Sequence, residues 1–290
     1  MSDLYGFIGE HTAEFSVSAM CGAFGISRAG YCLHSAEARS VRKLEDGALG
    51  EAIAEIFWHH RRRYGARRIQ RQLGRDGIGC GLGRVRRLMK LLGLQALQKR
   101  GFVPKTTVSP RGPAPFPNLL LDHGEVTSIN EVWVGDITYI PLSDGWAYLA
   151  MLMDLFSRRI VAWDLADNMR ADLVVGVLRS ARKLRGKHPG LILHSDQGSQ
   201  YGAAEYRRLA ASAGMRQSMS RRANCYDNAF MESCFGTLKC EMLEDGVFDS
   251  IDDAHAEVFD YIGAYYNRER LHSSIGYETP ERYEIDNFPK

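Results

Sequence analysis

Three acids in this sequence sit where a carboxylate is expensive. Asp136 interrupts the strand-like run "EVWVGDITYIPL", Asp196 follows the apolar run "LIL" in "LILHSDQGSQY", and Glu232 lies in the helical stretch "DNAFMESCFGTLKCEM". An unpaired carboxylate out of water costs about several kcal/mol, so each of these acids needs a cation. One such acid alone is most simply a salt-bridge partner or a turn cap. Three of them, on a strand, at the end of a second strand and on a helix, can converge at one sheet edge and offer hard oxygen ligands to a divalent metal. Two ions held by shared carboxylates can activate an attacking hydroxyl and stabilise a leaving oxygen in phosphodiester chemistry. Lys239 follows Glu232 by seven residues, two helical turns, so both face the same way, and its charge suits a DNA phosphate.

The elements that must position these residues can be read from the pattern. In "EVWVGDITYIPL", Val132, Val134, Asp136 and Thr138 alternate with Trp133, Gly135, Ile137 and Tyr139, which predicts a strand. "GWAYLAMLMDLFSRRIVAWDL" gives two more strands around a turn near Ser157, and Asp144–Gly145 marks the hairpin between the first strand and the second. A helix follows in "RADLVVGVLRSARKLRG", then the strand ending at Asp196. After it come a helix over about 202–213, a short strand near Met215–Met219, and a long helix from about Asp227, with Asp227 or Asn228 as cap. Three strands, a helix, a strand and further helices describe a mixed α/β domain of about 160 residues.

Upstream the texture is helical and basic. Between Arg61 and Arg100 there are thirteen Lys or Arg against one acid, whereas Glu241–Lys290 carries thirteen acids against four bases. A positive block that dense selects a polyanion, and nucleic acid is the reading it favours over a merely solvated helix face. "DGALGEAIAEIFWHHRR" places Leu49, Ile53, Ile56 and Phe57 at helical spacing, and "YGARRIQRQLGRDG" is a short helix ending at Gly74 or Gly77. "GLGRVRRLMKLLGL" puts Val85, Leu88, Met89 and Leu92 on one face. Two short helices around a glycine-containing turn, the second strongly basic, fit a helix-turn-helix over about 45–95, with a generic three-helix bundle carrying a basic face as the alternative. Arg67, Arg68, Arg84, Arg86, Arg87 and Lys90 are its candidate DNA contacts. A second helix–turn–helix fragment, turning at Gly25, is read in "SVSAMCGAFGISRAGYCLH". Five of the nine prolines fall in "PKTTVSPRGPAPFP", so 101–128 is an extended linker. The resulting division is a basic helical region over 1–100, the linker, an α/β core over 129–245 and a helical extension over 246–290.

Other chemistries are less well supplied. No run approaches the roughly 20 apolar residues of a membrane span, and the N-terminus lacks a signal pattern, so an intracellular, cytoplasmic protein is expected. The six cysteines form no CxxC pair, which argues against disulfides and zinc ribbons and leaves most as small core residues. His59 and His60 lack the cysteines of a zinc finger. Asp154 is expected to cap its turn or pair with Arg158 or Arg159, with a place beside the acid site as the alternative. His194 is the residue nearest Asp196 that could touch a metal shell. Asn224, Tyr226, Asp227 and Asn228 read as a turn and cap before Glu232, with a DNA contact or a place behind the metal-binding acids as the alternative, and Arg268, Arg270 and His272 as either a DNA contact or a brace.

Taken in order, "WVGDITYI", "HSDQGSQY" and "NCYDNAFMESCFGTLKCE" resemble the three catalytic blocks of bacterial insertion-sequence transposases of the IS-three group, specifically the product of the second reading frame (OrfB), with its retroviral integrase-like core. Thirty-five residues separate Asp196 from Glu232, the spacing of that group. The resemblance continues through "DLFSRRIVAW" and "YYNRERLHSSIGYETPERY", covers nearly all of 130–284, and extends to the helix-turn-helix segment. It implies an RNase H-like core, a mixed five-stranded sheet flanked by helices, preceded by an all-α region. It further implies a site of Asp136, Asp196 and Glu232 binding Mg²⁺ or Mn²⁺ as two ions, with Lys239 on DNA. The implied activity is DNA strand cleavage and strand transfer at the terminal inverted repeats of a mobile element and into target DNA, by a homo-oligomer. The group's leading helix-turn-helix and leucine zipper come from an upstream frame (OrfA), so a partnership or fusion with that product is expected, and an accessory role for this chain alone is the alternative. Two other readings are a DNA-binding regulator with a silent core and an RNase H-like nuclease. The complete set of acids with Lys239 disfavours the first, and the basic helical module disfavours the second.

Overall fold

The computed structural model describes residues 2–38, 41–98, 115–221, 228–243 and 246–288. Two compact units divide the chain, 1–96 and 97–290. Most of the proline-rich segment, 101–114, lies outside the described residues, as do Asn224, Cys225, Tyr226 and Asp227.

The first unit is all helix. Helices α1 (Ser2–Glu10), α2 (Val17–Ala23) and α3 (Arg28–Ala38) close over Ile8, Met20, Cys21 and Tyr31. Helix α4 (Val41–His59) buries Leu49, Ile53, Ile56 and Phe57, the spacing expected from sequence. Helices α5 (Ala66–Arg75) and α6 (Leu82–Leu91) follow, burying Ile69 and Leu73, and Val85, Leu88 and Met89. Both end on a glycine in the left-handed region, Gly77 and Gly93, after which Ile78 and Leu94 donate back to Leu73 and Met89. That is the Schellman arrangement, and it stops each helix sharply. Leu92 belongs to this stop rather than to the apolar face of α6, and it is exposed.

The second unit is built on a five-stranded mixed sheet in the order β3-β2-β1-β4-β5. Strands β1 (Val132–Leu142), β2 (Gly145–Asp154) and β3 (Ile160–Ala166) form an antiparallel meander. Leu142 pairs with Gly145, so the hairpin loop is Ser143–Asp144 and Gly145 opens β2. Helix α7 (Ala171–Arg185) crosses to β4 (Ile192–Ser195), which runs parallel to β1; α8 (Ala204–Ser212) then leads to β5 (Arg216–Met219), parallel to β4. One sheet face, with Trp133, Ala150, Leu152 and Leu193, packs on Val174, Val177 and Leu178 of α7. The alternation of β1 sends Val132, Val134, Asp136 and Thr138 to the opposite face.

That opposite face is covered by α9 (Ala229–Met242) and by the C-terminal segment beyond it. Helix α10 (Ile251–Phe259) passes into a π-helical stretch, Asp260–Tyr266, and α11 (Pro280–Asn287) ends the described chain. Three contacts lock this C-terminal segment in place. The Asn267 side chain acts as a short strand on the edge of β3, accepting from Ile160 N and donating to Ile160 O. Glu284 of α11 accepts from Ser157, Arg159 and Arg185. At the end of α9, Glu241 takes both Arg270 Nε at 2.8 Å and an Arg270 terminal nitrogen at 2.7 Å, and Tyr261 donates to it at 2.8 Å. Arg270 and His272 are buried, so they brace the core; Arg268 alone of the three stays exposed, paired with Glu281.

Breaking one side of the Glu241–Arg270 pair strands a buried charge. Glu241→Ala is expected to destabilise the protein by about 3–5 kcal/mol, and pairing it with Arg270→Met to recover most of that loss. Urea denaturation followed by circular dichroism checks both; a single mutant as stable as the wild type would contradict the brace.

Candidate active site

The position of Asp136 follows from where β4 stops. Val132, Trp133, Val134 and Gly135 pair in parallel with Ile192, Leu193, His194 and Ser195, and there the ladder ends. Asp136 and Asp196 are the next residues on each strand. β1 continues against β2, where Asp136 opposes Met151, while the chain at Asp196 peels away. Two carboxylates therefore leave neighbouring strands at the same level, at the C-terminal end of β4.

Both are held by short local bonds. Ile137 N donates to Asp136 Oδ1 at 2.8 Å and Gly198 N donates to Asp196 Oδ1 at 2.9 Å. A side chain at residue 198 would meet that same Asp196 oxygen at 2.9 Å, so the turn requires Gly198. At Gly135 a Cβ would meet a Leu152 methyl at 2.9 Å, so that buried side chain would have to shift to admit one. The remaining polar residues of the loop are tethered. Gln197 donates to Ser220 O at 2.9 Å and Gln200 to Met169 O at 3.1 Å, so the loop's shape is fixed by backbone carbonyls, with Ser199 exposed.

Glu232 arrives from α9. It is exposed, one turn into the helix, and its charge reaches Asp136. Burial, then the charge of Asp196, then that of Glu232 push the Asp136 carboxyl well above the usual carboxylate range. Burial raises Asp196 as well, against the opposing bond from Gly198 N. Lys239, two turns beyond Glu232, is half-buried; desolvation lowers its pKa while the Asp136 charge opposes that. The charges of Asp196, Glu232 and Lys239 all act on Asp136, which stands at the centre of the group. Repelling carboxylates with all-oxygen donors are what a hard divalent cation relieves, and the donor set fits such an ion.

Tyr201 escaped the sequence as a neighbour of the acids, and Asn228 takes the alternative place behind them. Asn228 precedes α9 as its N-cap but makes no capping bond; its Nδ2 donates to Asp136 Oδ2 at 3.0 Å. Its position one turn before Glu232 was the available signal. Tyr201 is fully buried beside Tyr206, and burial followed by the charges of Asp136 and Asp196 keeps its hydroxyl protonated. Ser218 and Ser220 flank His194, with Nδ1 at 2.8 Å and Nε2 at 3.0 Å; His194 is buried and ties β4 to β5 rather than facing the acids. Asp154 also lies apart from the site. It accepts from Asn130 N, Phe156 N and Ser157 N, capping its turn.

In the helical unit the candidate DNA contacts divide. Arg67, Arg86 and Lys90 are exposed. Arg84 and Arg87 instead grip Asp46 of α4, at 2.7 and 2.5 Å, and Arg84 also pairs with Glu45. Arg68 donates to Arg63 O and lies 5.6 Å from the Tyr64 ring centre.

Comparison with known proteins assigns the chain. An integrase core domain model matches residues 127–225, a second integrase core domain model 213–280, and an HTH-like domain model 43–102. The transposase for insertion sequence element IS904 of Lactococcus lactis is 40% identical over 86% of this chain and 98% of its own length. The transposase InsF for insertion sequence IS3A of Escherichia coli is 35% identical over 98% of this chain and 99% of that relative. The chain belongs to the IS3-family insertion-sequence transposases. A 31 kDa protein of insertion element IS600 from Shigella sonnei, described as uncharacterized, is 40% identical over 91% of this chain and 97% of its own length. Among solved structures, the HTLV-2 integrase catalytic core domain in complex with magnesium aligns with 53% of this chain and 95% of its own, at 18% identity and a TM-score of 0.41, too distant to bear on function. The transposase therefore joins an integrase core to an HTH-like domain, and among the described residues no helix is long and apolar enough to cross a membrane.

The raised carboxyl carries a sign. Asp136 binds its proton more tightly folded than unfolded, so the metal-free fold loses stability as pH rises above the ordinary carboxylate range. Asp136→Asn is therefore expected to raise the melting temperature of the EDTA-treated protein at neutral pH, with the gain vanishing towards pH of about 4. Thermal melts at both pH values check this; a mutant that melts lower at neutral pH would contradict the repulsion.

Proposed function

We propose that Asp136, Asp196 and Glu232 hold divalent metal, Mg²⁺ or Mn²⁺ as two ions, and that the transposase uses this site to cleave and join DNA strands at the ends of an insertion sequence. The observation that carries the proposal is the end of the β1–β4 ladder, which releases two carboxylates side by side with the charge of Glu232 upon them. Ions bound there supply activation of the attacking oxygen and stabilisation of the leaving oxygen in an in-line displacement. The chain's own residues do the rest. Gly198 N and Ile137 N each fix one oxygen of an aspartate; the other oxygen of Asp196 is left for ligation, and Asp136 Oδ2, which accepts from Asn228, keeps a second lone pair for it. Glu232, being exposed, closes the set from the solvent side, where a DNA backbone arrives. Lys239 supplies positive charge for a phosphate next to the acids.

The HTH-like region supplies the DNA grip. Arg67, Arg86 and Lys90 are the residues we assign to phosphate or base contact, with Arg68 beside them; Arg84 and Arg87 serve first to fasten α6 to α4 through Asp46. The substrates are the terminal inverted repeats and a target duplex in the bacterial cytoplasm. Pairing two ends calls for a homo-oligomer, and the upstream-frame OrfA product is its further partner.

Asp196→Asn is expected to reduce strand cleavage and transfer by on the order of 10³-fold or more, as loss of a member of a catalytic unit does. DNA affinity should stay near wild type, because phosphate contacts dominate it. An in vitro strand-transfer assay with Mg²⁺, run beside a filter-binding titration, decides. Transfer at the wild-type rate would sink the assignment.

A further inference from the structure

Asn228 behaves as no ordinary helix cap. An asparagine at this position normally accepts a hydrogen bond from the first turn, worth about 1 kcal/mol to the helix. In α9 that bond is not made, and the side chain turns inward to Asp136. Only 6% of Asn228 remains exposed. A carboxylate oxygen can only accept, so Nδ2 must face Asp136 Oδ2, and the amide oxygen must point elsewhere. That oxygen is buried and has no hydrogen-bond partner among the described residues. A buried acceptor left empty costs about 1–3 kcal/mol, and folded proteins seldom carry one without use.

What could fill the gap is constrained by the surroundings. Asn228 lies four residues before Glu232, one helical turn, so Asn228 and Glu232 share a face of the helix towards the acids. Asp136 now has both oxygens engaged, Oδ1 by Ile137 N and Oδ2 by Asn228. Its plane is therefore set by one strand residue and one helix residue together. With a cation bound the acids are ionised and offer no proton to the amide oxygen, whereas water on that cation is a strong donor.

We propose that Asn228 is a positioning residue of the acid site: its Nδ2 orients Asp136, and its Oδ1 receives a hydrogen bond from water carried by the bound cation. The proposal rests on the reading that the three acids hold metal. It makes Asn228 the link through which β1 and α9 present Asp136 and Glu232 as one ligand set. Partners that orient metal ligands in this way typically govern affinity about 10–100-fold.

The test uses the full chain, stripped with EDTA, without DNA, titrated with Mn²⁺ by calorimetry and melted with and without Mn²⁺. Asn228→Ala should weaken Mn²⁺ binding by about tenfold or more while circular dichroism stays native. Asn228→Asp keeps the acceptor oxygen and nearly the same volume but sets a carboxylate against Asp136. It should melt lower than wild type in EDTA and show a larger Mn²⁺-induced rise. A purely structural role would lower both melting temperatures in EDTA and leave the Mn²⁺ affinity of each variant unchanged, which would overturn the proposal. Asp196→Asn separates the two levels. If Asp196→Asn loses Mn²⁺ binding and Asn228→Ala keeps it, Asn228 has no positioning role and the acid site stands. If Asp196→Asn binds Mn²⁺ as the wild type does, the acid site itself is wrong and the proposal falls with it.

Discussion

Four parallel pairs between β1 and β4 set the geometry on which the site depends. Parallel pairing fixes which residues come level, and a one-residue slip would turn Asp136 to the α7 face and into the apolar core. Because β4 ends at Ser195 while β1 runs on to Leu142, the next residue of each strand is a carboxylate at the same height. The sheet also settles the direction of approach, since the face holding Asp136 is the one α9 covers.

The site is built against its own stability. Two aspartates are brought together by strong apolar packing, with a third acid's charge nearby, and both aspartates have raised carboxyl pKa values in consequence. Such an arrangement persists only where the surroundings hold it. Here the holding is done by short backbone bonds to each aspartate, by Gln197 and Gln200 tying the Asp196 loop to carbonyls, and by the C-terminal segment. The last is the least obvious. Arg270, Tyr261 and Glu241 form a buried knot at the far end of α9, Asn267 closes the edge of β3, and Glu284 gathers Ser157, Arg159 and Arg185. A stretch with thirteen acids and four bases is thus less a solvated tail than the clamp behind the Glu232 helix.

Much of this was legible in the chain, for definable reasons. The alternation of β1 and the helical spacing of Leu49, Ile53 and Phe57 are direct consequences of which side must be dry, so they survive into the fold. Asp136 was legible because a carboxylate among Val, Trp and Ile is costly without a partner, whereas Glu232, exposed on α9, was legible through its motif and its spacing from Asp196. What escaped depends on partners distant in sequence. Arg84 and Arg87 read from sequence as DNA contacts, and their ion pairs to Asp46, some forty residues earlier, were not legible there. His194 beside Asp196 suggests a metal neighbour until both ring nitrogens are seen to be taken by Ser218 and Ser220, across at the end of the next strand. Asn228 reads as a cap because the rule for helix starts is local, whereas its bond to Asp136 spans the domain.

The most direct test of the account is anomalous diffraction from crystals of the chain grown with Mn²⁺. The account predicts anomalous density between Asp136 and Asp196, within ligating reach of Glu232, lost in crystals of Asp196→Asn. Manganese bound elsewhere, with the gap between the two aspartates empty, would contradict it.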